Sequence, residues 1–168
     1  MRDGKLCQQP AHEIERMRGD CVRATGGETV EEPGRLFDLV VSCEGAKMVE
    51  LEIRKGVFVC YADGMLTLDM GDEGYGRDQR SIELSELRDL RVLSDTTMVE
   101  IFANGGEAYL FAGGSGDGAA RRGRGIDEFL PPRALTVHGA RLDLLGGMCC
   151  SCRSELPFIA YSYRLRDK

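Results

Sequence analysis

The chain has 168 residues, 42% hydrophobic and 30% charged, which is enough for one globular domain with a real core and argues against a second. A formal net charge of -6 and a pI near 5.1 argue against nucleic-acid and anionic-membrane partners, both of which need a positive field. No run approaches the roughly 18 apolar residues that span a bilayer, and Met1–Pro10 lacks the apolar core of a secretory signal, so a reducing, cytoplasmic setting is expected.

Residues 1–34 read as a linker with a short helix. After Pro10, Ile14 and Met17 stand at helical spacing within Ala11–Arg18, and Gly19 closes the turn. His12 reads as a solvated residue at the helix start, with no nucleophile or base near it in sequence. Asp20 to Gly34 is rich in Gly, Thr and Glu and ends in a Pro33-Gly34 turn.

From residue 35 to 168 the pattern changes to short strand-forming runs. Leu36–Cys43, Met48–Arg54, Val57–Ala62, Met65–Met70, Arg80–Leu84 and Leu87–Leu93 are separated by Glu44-Gly45, Lys55-Gly56, Asp63-Gly64 and the glycine-rich stretch Gly71–Gly76. Turns this short leave no room for crossover helices. The prediction is an all-β, two-sheet antiparallel sandwich of jelly-roll, concanavalin-A-like type. Gly71–Gly76 lacks the alternating oxygen ligands of a calcium loop. Arg77, Asp78 and Arg80 read as a solvated strand edge.

Ser94 to Phe111 is the clearest local signal. Asp95-Thr96-Thr97 is turn chemistry, Met98–Ala103 a strand, Asn104-Gly105-Gly106 a reversal that tolerates positive φ, and Glu107–Phe111 a second arm. Alternation sends Val99, Ile101 and Ala103 to one face and Met98, Glu100 and Phe102 to the other. Asp95 is suited to capping its turn and Glu100 to pairing with a basic neighbour on the outer face. Beyond it, 113–133 is a flexible insertion or irregular tail, its three arginines lacking the interleaved aromatics of a nucleic-acid surface. Ala134–Val137, Leu142–Leu145 and Phe158–Leu165 read as late strands.

The seven cysteines are odd in number and irregularly spaced, a poor disulfide framework. Cys43 and Cys60 lie in apolar runs. Cys149, Cys150 and Cys152, even with His138, do not form a second Cys-x-x-Cys pair to close a zinc site, so neither metal nor cofactor is expected.

Leu90-Arg91-Val92-Leu93-Ser94-Asp95, followed by Val99-Glu100-Ile101-Phe102-Ala103-Asn104-Gly105-Gly106-Glu107, resembles the C-terminal β-sandwich of glycoside hydrolase family 32, the invertases, sucrose-6-phosphate hydrolases, levanases and inulinases. That family carries an L-R-I-F-V-D-like strand and then a V-E-V-F-x-N-G-like hairpin. The strand at Arg80–Leu84 is similar to the one before it. Asp3-Gly4-Lys5-Leu6, Gln8-Gln9-Pro10, Glu13-Ile14 and Arg18 resemble the linker that leaves the family's catalytic propeller. The resemblance covers roughly 1–110 and marks Arg80, Asp95, Glu100, Phe102, Asn104, Gly105 and Gly106 as structural positions.

The resemblance implies a retaining β-fructofuranosidase as parent, with an aspartate nucleophile in a W-M-N-D-P-N-G-like motif, an R-D-P motif and an acid/base glutamate in an E-C motif. None occurs in this chain, which has no tryptophan. Asp95 and Glu100 are not a substitute pair, since an extended strand separates them by about 16–17 Å where retention needs about 5–5.5 Å. The expected role is a non-catalytic module that supports a catalytic propeller and takes part in subunit contacts. The alternative is a free-standing lectin-like sandwich binding fructose-containing carbohydrate, with Tyr61 and Tyr75 as sugar contacts. A sandwich without its partner domain exposes an apolar patch, and self-association follows from that.

Overall fold

The computed structural model describes residues 4, 6–25, 29–30, 36–54, 56–74, 78–113, 135–141 and 157–163. Among the described residues there are twelve strands: β1 (Arg18–Thr25), β2 (Thr29–Val30), β3 (Phe37–Ser42), β4 (Met48–Arg54), β5 (Val57–Ala62), β6 (Met65–Asp69), β7 (Gln79–Glu83), β8 (Asp89–Ser94), β9 (Met98–Ala103), β10 (Ala108–Gly113), β11 (Leu135–Arg141) and β12 (Pro157–Tyr163). They form two six-stranded sheets, ordered β1-β12-β3-β8-β9-β10 and β2-β11-β4-β5-β6-β7. Every pairing is antiparallel. The all-β sandwich expected from the strand spacing is what the chain forms.

Period-two alternation builds the core. Leu39 and Val41 of β3, Val92 of β8 and Ile101 of β9 point inward from the first sheet, and Leu51, Val59, Leu66 and Leu68 from the second, all buried. The first sheet also buries residues of the opposite phase: Asp38, Leu93 and Phe102. None of the outer residues of β5, β6 or β7 in the second sheet is buried. The first sheet is therefore covered on both sides along its centre.

Three sequence expectations change. Residues 18–25 and 29–30, read as linker, supply β1 and β2. Arg18-Gly-Asp-Cys-Val-Arg-Ala-Thr25 hides this because an edge strand needs little apolar alternation. The helix shrinks to one turn, α1 (His12–Glu15), without a side-chain N-cap. The late strand seen at Ala134–Val137 extends as Leu135–Arg141, while Leu142–Leu145 and most of 113–133 lie outside the described residues, as do the cysteines from 149 to 152.

Arg80 also differs from a solvated edge residue. It pairs in register with inward-facing Leu68, and its guanidinium sits 5.7 Å from the ring centroid of Phe111 on β10. The aliphatic stem thus closes the seam between the sheets while the charge rests on an aromatic face. Its Nε atom is buried without a hydrogen-bond partner among the described residues. Arg77 lies outside the described residues, and Asp78 is exposed.

Candidate functional site

The β8–β9 turn is built around Asp95. Its Oδ1 accepts from the backbone N–H groups of Thr97 and Met98, each at 2.7 Å, and its own N–H donates to the Met98 carbonyl at 2.9 Å. This is an Asx turn, with the carboxylate spent on backbone donors. The turn lies between Asp95 and Glu100, so the extended-strand separation does not apply. Glu100 instead faces Leu93 across the ladder. Glu100 has also found a different partner from the basic one expected: the Tyr109 hydroxyl donates to its Oε1 at 2.6 Å. Removal from water, then the hydrogen bond to Glu100 and its charge, push the Tyr109 pKa up to about 12.

The β9–β10 turn joins three segments. Asn104 takes a positive φ of 54°, followed by Gly105 at 65° and Gly106 at 89°. The Asn104 amide donates to the Glu86 carbonyl at 2.7 Å and its Oδ1 accepts from the Arg88 N–H at 2.8 Å, fixing the approach to β8. Asp89 Oδ1 accepts from the Gly105 N–H at 2.8 Å. From the other side the Gln8 N–H donates to the Gly106 carbonyl at 2.9 Å, and the Gln9 side-chain amide donates to the Gly105 carbonyl at 2.9 Å. A Cβ on Gly106 would overlap the Gln8 carbonyl. Gly106 is thus glycine for two reasons, its φ and the backbone pressed against it.

The C-terminal end of the same segment is held by charge. Asp38, with 0% exposure, lies between two guanidinium groups. Arg91 of β8 grips it as a fork, Nε to Oδ1 at 2.9 Å and Nη2 to Oδ2 at 2.8 Å. Arg18, where the linker enters β1, places Nε and Nη2 each 2.7 Å from Oδ2. Arg91 also meets Glu15 of α1 at 3.5 Å. The fork geometry suits Arg rather than Lys. A cleft of about 410 Å³ lies between these anchors, lined by Gln9, Pro10, Glu15, Val40, Leu90 and Phe102 among others.

Phe102, Tyr109 and Phe111 form an outward aromatic row, with centroids 5.0 Å apart for the first pair and 5.9 Å for the second. Phe111 is 51% exposed and Met98 is exposed beside the row. Alternation on β10 could have revealed this row from the sequence. Tyr61, read as a sugar contact, is 5% exposed and its hydroxyl donates to the Leu84 carbonyl at 3.2 Å. Its ring belongs to the core and offers no platform. Tyr75 lies outside the described residues. Burial, then the charge of Asp89, push the Cys43 thiol up to about 12, leaving a packed, unreactive side chain. Among the described residues no group of three or more His, Cys, Asp or Glu is placed to hold a metal ion. Nor is any helix among them long and apolar enough to cross a membrane.

No family model matches the chain. Over 127 residues it is 33% identical to raffinose invertase of Escherichia coli, a match covering 65% of this chain and 26% of that protein. Its backbone is similar to sucrose-6-phosphate hydrolase from Lactobacillus gasseri, with a TM-score of 0.70 at 14% identity, over 98% of this chain and 32% of that one. It is also similar to a glycoside hydrolase family 32 structure from Bifidobacterium adolescentis, with a TM-score of 0.54 at 15% identity, over 96% of this chain and 22% of that one. The chain is thus similar in sequence to an invertase and in backbone to the β-sandwich part of a glycoside hydrolase family 32 structure. It spans about a fifth to a third of the length of these relatives. In this sandwich Asp95, Asn104, Gly105 and Gly106 serve turn contacts and the docking of residues 8 and 9.

Proposed function

We propose that the protein is a non-catalytic accessory sandwich of a β-fructofuranosidase-type enzyme, seating a catalytic propeller through residues 6–18. The observation that carries this reading is the linker bound at both ends to the outer face of the first sheet, at Gly106 and at Asp38. A segment fixed in this way transmits a defined direction to whatever precedes it. The absence of the W-M-N-D-P-N-G-like, R-D-P and E-C motifs from the sequence supports the non-catalytic part, as does the engagement of Asp95 with backbone N–H groups and of Glu100 with Tyr109.

The expected result is no hydrolysis of sucrose, raffinose, inulin or levan by the purified chain, and binding to a separately expressed family 32 propeller. Turnover abolished by Glu100→Gln would overturn the reading. Exposed Met98 and Phe111 support a further part of it, that an unpartnered sandwich self-associates. Ultracentrifugation giving a monomer at every concentration would remove that part. The free thiols Cys21, Cys43 and Cys60 support a reducing, cytoplasmic setting.

A further inference from the structure

We propose that residues 6–17 form a latched strap, for which Arg18 is the bolt and the Asp38–Arg91 pair the catch, and that release of Arg18 opens the strap cooperatively from the Gly106 end to β1. The inference concerns this chain alone and holds whether or not a propeller precedes it.

The two ends of the strap are fastened by different physics. At one end there are neutral hydrogen bonds, Gln8 N–H to Gly106 and the exposed Gln9 amide to Gly105. Individually these are weak. At the other end is a buried carboxylate with guanidinium contacts at 2.7–2.9 Å. Between the fastenings, α1 has a single turn and no buried residue. A helix this short has no stability of its own. The strap therefore depends on its fastenings, and Glu15 on Arg91 ties the helix to the charged one.

The cluster is asymmetric in a way that makes Arg18 the movable part. Asp38 and Arg91 sit on the interior strands β3 and β8 and neutralise each other through a fork, whereas Arg18 is the first residue of the edge strand β1. Losing Arg18 thus leaves no uncompensated buried charge, whereas losing Asp38 leaves two cations face to face. Opening uncovers Val40, Leu90 and Phe102, which line the cleft beneath.

The test is hydrogen exchange read by mass spectrometry on the full chain, comparing wild type with Arg18→Gln, Arg18→Lys and Gln9→Ala. Arg18→Gln should speed exchange at least tenfold at the Gln8, Ile14, Arg16 and Met17 amides, all hydrogen-bonded in the closed strap. Amides of β8 and β9 should be unchanged. Arg18→Lys, which keeps the charge and loses the paired Nε and Nη2 contacts to Oδ2, should fall between. Gln9→Ala should speed the same four amides together and by less. Unchanged exchange in Arg18→Gln, equal acceleration in β9, or release of Gln8 alone would each overturn the latch.

Discussion

The outer faces of the two sheets behave in opposite ways. On the second sheet Glu50, Thr67, Asp69 and Ser81 alternate with core residues and meet water, with Thr67 and Ser81 sharing a 2.9 Å hydroxyl contact. On the first, Asp38, Leu93 and Phe102 occupy equivalent outward positions and are buried. An antiparallel sheet with one wet face needs only alternation. One covered on both faces must satisfy the charges it hides, and this sheet does so for Asp38 with two guanidinium groups.

Truncating Asp38 should break the contrast most severely. Asp38→Ala leaves Arg18 and Arg91 without their shared counter-charge and should cost about 3–5 kcal/mol. Glu50→Ala at an exposed position of the other sheet should stay within about 0.5 kcal/mol. Urea denaturation midpoints compare the two. Phe102→Ala should cost about 3 kcal/mol, and Phe58→Ala, half-buried on the wet face, less than half as much by the same measurement. Gly106→Ala combines an unfavourable φ with a collision at Gln8 and should cost about 2 kcal/mol. Its thermal transition should fall and the Gln8 amide should exchange faster.

Asp95→Ala removes acceptor contacts from a turn that stays in water and should cost about 1 kcal/mol. A loss equal to that of Asp38→Ala would mean that exposure does not separate the two carboxylates. Tyr109 gives the smallest effect. Its folded pKa is raised from the ordinary tyrosine value of 10.0 to about 12. The neutral form therefore stabilises the fold fully below pH 10, and that contribution disappears as the pH rises towards 12. Difference absorbance titration against Tyr109→Phe should place the transition near 12, and Glu100→Gln should lower it.

Strands β3 to β10 were legible because alternation and paired turn signals agree there. Strands β1 and β2 were not, since their polar sequences are fixed by neighbours such as β12, far away in the chain. The same limit applies to the site. Asp95 could be read as a turn cap because its partners lie within three residues. The Asp38 cluster could not, because Arg91 is 53 positions away and alternation alone marks Asp38 as solvent-facing. Glu100 was assigned a basic partner on charge alone, and the neighbouring strand supplied a phenol instead. Tyr61 reads as an outward aromatic on residue type alone, but its neighbours across the ladder are the inward Val49 of β4 and Leu66 of β6.

The contact of Gln8 with Gly106 sets a rule for transplanting this module. The neighbouring Gln9–Gly105 bond already joins residues 96 positions apart. The hairpin's glycine is thus shaped by a peptide unit at the opposite end of the sequence. A graft cut before β1 would retain the cost of a flexible residue in the turn and discard the backbone that occupies its missing side chain. Fusion designs should place their junction ahead of Leu6. A sandwich cut shorter loses the collision at position 106 but keeps the positive φ, so that turn still calls for glycine.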